Sequence, residues 1–272
     1  MGSVATTPFW GTPTSYLNFC EEDYVVTRYI AEFINTLSSL TFVIYGIYGL
    51  SINRQKPRTG SRLVSYGGLM GVGVCSAGYH MTLKYHTQMS DELSMHLLTT
   101  PLVYRLLTFR TSPRHTKLMG LALLTIFTAV MLTHIIMDEF LLHASTFALA
   151  VYLIVSRVLR LISQHVPDAL ARKRLRRITF FGFSNFIFGY LVWLMDGWAC
   201  RILTKTRHSV GLPWAFLLEL HGWWHIFTAI GGYTAVAVVD MITSGEVNKD
   251  ATDDLAWPVP LAAKFMSALQ GQ

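Results

Sequence analysis

Charged residues are scarce in this 272-residue chain, where Asp, Glu, Lys and Arg together make up 14%, against about a quarter of a typical soluble domain. Hydrophobic residues reach 52%, and the mean hydropathy is +0.39. The apolar residues form continuous runs close to the ~20 residues that a helix needs to cross a bilayer. This pattern excludes an ordinary soluble domain, and the lack of period-two alternation within the runs excludes a membrane barrel.

Seven such runs predict an all-α integral membrane protein with a seven-transmembrane helix bundle. Three segments follow: a luminal N-terminal segment at 1–29, a catalytic membrane domain at 30–240 and a cytosolic C-terminal tail at 241–272. No signal peptide is recognised before the first run, and the hydrophilic stretch 244–256 is predicted to be disordered. The predicted spans are 30–51, 61–83, 91–109, 117–136, 139–160, 178–199 and 214–239.

The positive charge is concentrated in three connections between the predicted spans. A net charge of +6 could indicate a nucleic-acid partner, but most of the 22 Lys and Arg residues lie beside the odd-numbered loops, including the basic run 172–177. By the positive-inside rule these loops are cytoplasmic, which predicts a luminal N-terminus and a cytosolic C-terminus. The membrane, and no nucleic acid or protein, is therefore the predicted partner.

Cysteine is also rare, with three in the chain. Cys75 falls within the second span and is expected to be a reduced thiol. Cys20 and Cys200 both fall on the predicted luminal side, where the oxidising environment permits a disulfide. Two cysteines do not by themselves establish a bridge, so the pairing of Cys20 with Cys200 is a prediction.

Ionisable groups within the spans are few and grouped. Ser76 and His80 lie four residues apart at the end of the second span, and His221 and His225 have the same spacing in the seventh. Asp91 opens the third span. Residues four apart share one face of a helix, and the predicted topology brings all these positions, with Glu32 of the first span, to the luminal half of the bilayer. Ionisable groups at such depth usually mark function.

Three histidines with an open fourth position are typical of a catalytic zinc site. The alternative is that His221 and His225 are interfacial residues hydrogen-bonded to neighbouring helices. Haem is disfavoured, because two histidines on one helical face cannot bind opposite sides of one porphyrin. The remaining histidines lie near span ends or in loops and are given no ligand role: His86, His96, His115, His134, His143, His165 and His208.

Oxygen donors cluster before the first span, at Asn18, Glu21 and Asp23, with Glu32 nine residues further on. Such a set suits a hard cation such as calcium, although the spacing is not that of an EF-hand. The alternative is an acidic, solvated luminal tail. Glu32 favours the cation, because a carboxylate within a span needs a cationic partner.

Several stretches resemble the alkaline ceramidase family. They are PFWGTPTS at 8–15, NFCEEDY at 18–24, YIAEFINT at 29–36, HMTLKY at 80–85 and HGWWH at 221–225. The resemblance covers the first three and last two spans well, and the fourth and fifth by length and hydropathy alone. It implies an intramembrane hydrolase that cleaves the amide bond of ceramides, in the endoplasmic reticulum or Golgi membrane, to a fatty acid and a sphingoid base.

The same resemblance implies the roles of individual residues. Zinc would be bound by His80, His221 and His225, with Ser76 and Asp91 acting beside the reactive water. Calcium would be bound by Asn18, Glu21, Asp23 and Glu32 together with the backbone carbonyl of Phe19. The family pattern has Asp at the position of Asn18 and Asn at that of Asp23, so the exchange preserves the number of carboxylates and predicts a changed calcium affinity.

Three other functions are compatible with a seven-span chain. A related hydrolase of ester lipids would share the metal ligands. A non-catalytic lipid or hormone receptor of the same superfamily would place its N-terminus in the cytoplasm, opposite to the charge distribution here. A transporter is disfavoured because the sequence contains no internal repeat.

Overall fold

A computed structural model describes residues 7–54, 59–247 and 252–268. Helices make up most of these ranges, which contain no β-strand, and the predicted all-α class is confirmed. The helices are α1 Phe33–Ile52, α2 Thr59–Thr82, α3 Tyr85–Leu107, α4 Pro113–Met137, α5 Phe140–His165, α6 Ala169–Val210, α7 Leu220–Ser244 and α8 Val259–Ala268, with a 3₁₀ helix at Trp214–Leu218.

Five of the described helices are long and apolar enough to cross a membrane: α1, α4, α5, α6 and α7. The helices α2 and α3 have a similar length but carry more polar residues, including those of the predicted site. Burial distinguishes the central helix from the peripheral ones, since 67% of the most apolar window of α7 is buried and only 11% of that of α4. The exposed face of α4 is rich in Leu and Ile, as expected for a surface in contact with lipid.

Successive helices run in opposite directions, so that α1, α3, α5 and α7 begin where α2, α4 and α6 end. We call this the histidine end of the bundle. Close helix packing depends on small residues. At Gly73 of α2, for example, a Cβ atom would lie 2.8 Å from the backbone oxygen of Ser39 in α1. At the opposite end, the buried Arg62 and the largely buried Arg105 contact Asp240 at 2.6 and 2.9 Å.

The segment before α1 lies across the histidine end. Its backbone is hydrogen-bonded to the end of α2, for example from Ala31 to the carbonyl of Met81 at 3.0 Å. Glu21 caps the N-terminus of α1 although it lies 12 residues before the helix begins at Phe33. Its carboxylate accepts hydrogen bonds from the backbone N–H groups of Ile34 and Asn35 at 2.7 and 2.8 Å. This contact satisfies two of the free donors at a helix N-terminus.

The structure differs from two predicted boundaries, those of the sixth helix and of the disordered stretch after the last span. The sixth helix is longer than its predicted span of 178–199, because α6 begins after the capping residue Asp168 and continues through the basic run 172–177 for 42 residues in all. Lys, Arg, Ala and Leu are strong helix formers whether or not lipid surrounds them. The stretch predicted to be disordered includes Leu255 and Ala256, which are buried against the bundle together with Val259 and Ala263 of α8. Part of that stretch, 248–251, lies outside the described residues.

Candidate metal centre

Three histidines from two helices meet at the histidine end. His80 comes from the last turn of α2, and His221 and His225 come from the first turns of α7. Their ring centroids are 4.6–4.9 Å apart, and one nitrogen of each lies within 4.8 Å of the others. All three side chains are nearly fully buried.

Hydrogen bonds identify the nitrogens that are free to bind a metal. The Nδ1 atom of His80 contacts the buried carboxylate of Glu32, and Nδ1 of His225 lies 2.8 Å from the hydroxyl of Ser38. Since a carboxylate only accepts, Nδ1 of His80 donates, and the neutral ring then directs an unprotonated Nε2 inwards. A carboxylate behind a ligating histidine is the usual arrangement around protein-bound zinc.

His221 supports the same conclusion by a different observation. Its Nδ1 atom is buried and has no hydrogen-bond partner among the described residues, although buried polar atoms nearly always have one. The ring is fixed by the side chain of Phe19, whose centroid lies 3.6 Å away. Three buried imidazoles with available nitrogens fit zinc, which prefers nitrogen and sulfur ligands.

Close packing of α7 on α1 makes this arrangement possible. A Cβ atom at Gly222 would lie 2.8 Å from Cγ2 of Ile34, so a larger residue there would separate the two helices. The approach brings Ser38 of α1 within hydrogen-bond distance of His225. The glycine between the histidines is therefore part of the site.

Ser76 and Asp91 lie beside the histidines. The hydroxyl of Ser76 is 3.5 Å from Nε2 of His225 and 3.0 Å from the hydroxyl of Ser39, and it also interacts with the carboxylate of Asp91. Ser76 is nearly fully buried, whereas Asp91 is half-buried. As a residue Asp91 is thus more exposed than Ser76, while its carboxylate is buried against the Ser76 hydroxyl.

The five residues predicted to bind calcium lie next to this centre. Glu32 is fully buried, and its carboxylate is shared between His80, the side-chain amide of Asn35 at 3.1 Å and the backbone N–H of Phe19 at 3.4 Å. Asn18 accepts a hydrogen bond from the backbone of Phe19 at 2.9 Å. The Oδ1 atom of Asp23 is buried without a partner among the described residues.

Electrostatics in this acidic segment favour a cation. Burial raises the pKa of Glu21 to about 7, although the backbone donors of α1 oppose the rise, and the charge of Glu32 adds to it. Burial and then Glu32 raise the pKa of Asp23 to about 6. Glu32 opposes the ionisation of both Glu21 and Asp23, and Asp23 has one buried oxygen without a partner among the described residues, which suits a hard oxygen-binding cation such as calcium. Both oxygens of Glu21 already accept hydrogen bonds, but a carboxylate has further lone pairs.

The cysteines of the N-terminal segment and α6 are joined. Cys20 and Cys200 form a disulfide with a Cα–Cα distance of 5.2 Å, and Cys75 is free. Beside the bridge, Arg207 contacts the carboxylate of Glu219 and the backbone oxygen of Cys20, both at 2.5 Å. The segment that holds the acidic residues is therefore attached covalently and by charge to the end of α6.

Sequence analysis missed Asp196. Its buried carboxylate accepts the backbone N–H of Cys20 at 2.9 Å and that of His221 at 3.3 Å, so it connects the N-terminal segment to the first turn of α7. The signal was present, because Asp196 is an acidic residue inside an apolar run.

A second difference from the sequence analysis concerns the surroundings of His96, His134 and His143, which are predicted to have no ligand role because they lie near span ends. All three are buried, with 6%, 1% and 4% of their surface exposed. Their rings lie in contact, His134 and His143 at 5.2 Å and His96 and His143 at 5.1 Å between centroids. Proximity to the end of a span does not imply contact with water when neighbouring helices cover it.

The fold and the histidine centre define a helical membrane protein with a buried cluster of three histidines that could hold a metal ion. The chain belongs to the Ceramidase family, whose sequence profile matches residues 11–266. The resemblance recognised from the motifs is thereby confirmed.

Individual relatives extend the match over most of the chain. The chain is 31% identical to alkaline ceramidase YPC1 of Saccharomyces cerevisiae, over 91% of this chain and 83% of that protein. It is 32% identical to alkaline ceramidase 3 of Mus musculus, over 83% and 82%. An alkaline ceramidase of Arabidopsis thaliana is 25% identical, over 84% and 83%.

Proposed function

We propose that this protein hydrolyses the amide bond of a ceramide inside the bilayer, using zinc held by His80, His221 and His225. The observation that carries the proposal is the convergence of these three buried histidines beside Ser76 and Asp91. Membership of the Ceramidase family and the names of the relatives supply the substrate class. The receptor alternative is disfavoured by the same comparisons.

Zinc at this centre supplies Lewis acidity, which polarises an amide carbonyl and acidifies water. Asp91, whose carboxylate interacts with Ser76 beside the histidines, accepts a proton from the attacking water as the new C–O bond forms. Ser76 donates a hydrogen bond to the developing oxyanion. When the C–N bond breaks, Asp91 returns the proton to the leaving nitrogen, which gives a fatty acid and a free sphingoid base.

Substrate reaches this centre from the lipid. Both chains of a ceramide are insoluble, and the histidine end is covered by the segment before α1, so a lateral path between helices is the simplest route. The protein is proposed to cross the membrane seven times with a luminal N-terminus, in the endoplasmic reticulum or the Golgi. Support comes from seven helices of 20 or more residues and from the basic residues of the odd-numbered connections.

Calcium is proposed to bind Asn18, Glu21, Asp23, Glu32 and the backbone carbonyl of Phe19, and to modulate the reaction. Glu32 is the physical link, because its carboxylate belongs to the acidic set and also contacts His80. A cation that fixes Glu32 fixes the orientation of a zinc ligand. Its effect on turnover would therefore be exerted through geometry at His80.

Turnover of the purified full-length protein on a panel of ceramides, with zinc measured in the same sample, tests the proposal. Wild type should release fatty acid, and His80→Ala, His221→Ala and His225→Ala should each abolish release and lower bound zinc. His115→Ala, an exposed histidine at the start of α4, is the matched control and should change neither.

An ester analogue of each ceramide distinguishes the proposed amidohydrolase from a related hydrolase of ester lipids. Faster cleavage of the ester than of the amide, by more than their intrinsic reactivity accounts for, would favour a lipid esterase. Zinc binding without turnover of either substrate would favour the receptor.

A further inference from the structure

A second group of possible ligands lies at the histidine end, away from the residues assigned to zinc. It consists of Glu92 in α3, His134 in the last turn of α4 and His143 in the first turn of α5. One ligand atom from each lies within 4.8 Å of the others. All three side chains are buried, with 5%, 1% and 4% of their surface exposed.

The hydrogen bonds of His134 require a proton or a metal cation between its ring and Glu92. Its Nδ1 atom lies 3.1 Å from the backbone carbonyl of Glu139, and a carbonyl only accepts, so Nδ1 carries the hydrogen. In the neutral ring Nε2 is then unprotonated and can only accept a hydrogen bond, yet it contacts a carboxylate oxygen of Glu92, which is also an acceptor. Two acceptors cannot face each other in a buried place unless a proton or a metal cation lies between them.

The other two histidines favour the metal. Nδ1 of His143 and Nε2 of His96 are both buried with no partner among the described residues. The proton that would join His134 to Glu92 leaves both of these atoms unsatisfied, at a cost that folded proteins rarely accept. A metal bound by Nδ1 of His143 removes one of the two, and His96, one turn along α3 from Glu92, brings a further nitrogen to the same side.

We propose that Glu92, His134 and His143 form a second metal site, which binds a divalent transition ion of the zinc type. Two imidazoles and one carboxylate are a donor set used for zinc, and a related set binds iron(II). The carbonyl behind His134 has the role that a second-shell acceptor has in such sites, since it fixes the tautomer of the ligand. Glu92 keeps a second hydrogen bond, from the amide of Gln88 at 2.9 Å, and Tyr16 lies 3.5 Å from its other oxygen.

The position of the site indicates a structural role. Within α4, whose residues are all described, the two buried side chains are Met131 and His134. Lipid competes equally well for the apolar surface of such a helix, so apolar contact alone does not hold it against its neighbours. A metal bound by α3, α4 and α5 attaches the loosely packed α4 to the bundle. It also fixes the start of α3, where Asp91 precedes Glu92.

Metal content tests this inference without reference to turnover, so its outcome is independent of the proposed function. Full-length protein in detergent is treated with chelator, exchanged into excess Zn²⁺, washed and analysed for zinc by mass spectrometry. Wild type should retain about two zinc ions per chain, and His221→Ala/His225→Ala about one. His143→Gln and Glu92→Gln should each also retain about one, and combining His143→Gln with the His221/His225 changes should leave none.

Thermal stability in the His221→Ala/His225→Ala background provides the readout if a variant folds poorly. Zn²⁺ should raise Tm in that background because it binds the folded state at the second site. The rise should disappear when His143→Gln is added and persist when the exposed His115→Gln is added instead. Substitution by Co²⁺ should give visible absorption bands in the same background that His143→Gln removes.

The inference is overturned if the His221→Ala/His225→Ala protein retains no zinc and shows no Zn²⁺-dependent rise in Tm. Glu92 and His134 are then a proton-linked pair. It is equally overturned if His143→Gln and Glu92→Gln leave the zinc content of that background unchanged.

Discussion

Asp91 and Glu92 are consecutive in α3 but face different groups of side chains, which defines their separate roles at the residue scale. Asp91 interacts with Ser76 beside the first histidine group, and Glu92 contacts His134 of the second. Adjacent residues of a helix point about 100° apart, so one turn of α3 places a carboxylate beside each of the two histidine groups. We therefore expect substitutions at the two positions to separate cleanly by readout.

Asp91→Asn should keep zinc and lose most turnover. An amide has nearly the same shape but cannot accept the proton of water, and loss of a general base typically costs on the order of 10²–10⁴-fold in rate. Turnover and zinc measured on one sample check this. Asp138→Asn is the control, because the Asp138 carboxylate accepts a hydrogen bond from Tyr85 at the same end of the bundle and has no hydrogen bond to a histidine among the described residues. Near-normal turnover of Asp91→Asn would require another base.

Glu32 and Asp23 should differ although both are assigned to calcium. Glu32→Gln removes the carboxylate behind His80, so it should weaken zinc binding by about 10–100-fold, the usual effect of losing such a partner. Asp23→Asn leaves that contact intact. It should weaken calcium binding, because one of three carboxylates becomes a neutral amide oxygen, and so shift the calcium response of turnover to higher concentration while keeping zinc. Calcium titration with zinc analysis would measure both. If calcium leaves the turnover of wild type unchanged, the alternative interpretation of the segment as an acidic luminal tail is favoured.

At the scale of elements, the segment before α1 depends on α6 for its position. The disulfide of Cys20 with Cys200, the ion pair of Arg207 with Glu219 and the two hydrogen bonds of Asp196 all lie at this junction. The described part of this segment, 7–32, has almost no regular secondary structure of its own. The cross-link therefore preserves the geometry of the residues that are proposed to bind calcium.

Cys200→Ser should lower Tm by several degrees and weaken calcium binding, since native disulfides are typically worth about 2–4 kcal/mol. Cys75→Ser, which removes the free thiol, should do neither. Peptide mapping under non-reducing conditions should recover the segments around Cys20 and Cys200 as one linked species. Recovery of both as free thiols would remove the covalent part of this account.

At the scale of the whole molecule, the seven long helices and the charged connections predict one orientation. A glycosylation acceptor tag added at the N-terminus should be modified in microsomes, and one added at the C-terminus or between α3 and α4 should not. The reverse pattern would place the histidine end on the cytosolic side. The intramembrane chemistry would survive that result, but the oxidising environment assumed for the disulfide would not.

The local pattern of the sequence was sufficient to predict most of the helices. Apolar runs near bilayer length predicted the helical class and the approximate place of each long helix, because a membrane permits few other structures. Motifs indicated the family and the triplet His80, His221 and His225. The predicted helix ends were less accurate, and α6 extends beyond its apolar run in both directions. Hydropathy indicates which residues lie in lipid, whereas a helix continues as far as its backbone hydrogen bonds do.

Contacts between distant segments could be decided only by the tertiary structure. The burial of His134 and His143 depends on which helices cover them. Glu32 can contact His80 and also belong to the acidic segment only because that segment lies against α2. The N-terminus of α1 is capped by Glu21, which lies outside the helix. Hydropathy and spacing describe a residue relative to its own helix. The pairing of an unprotonated nitrogen with a carboxylate, on which the second metal site rests, exists only once α3, α4 and α5 have been brought together.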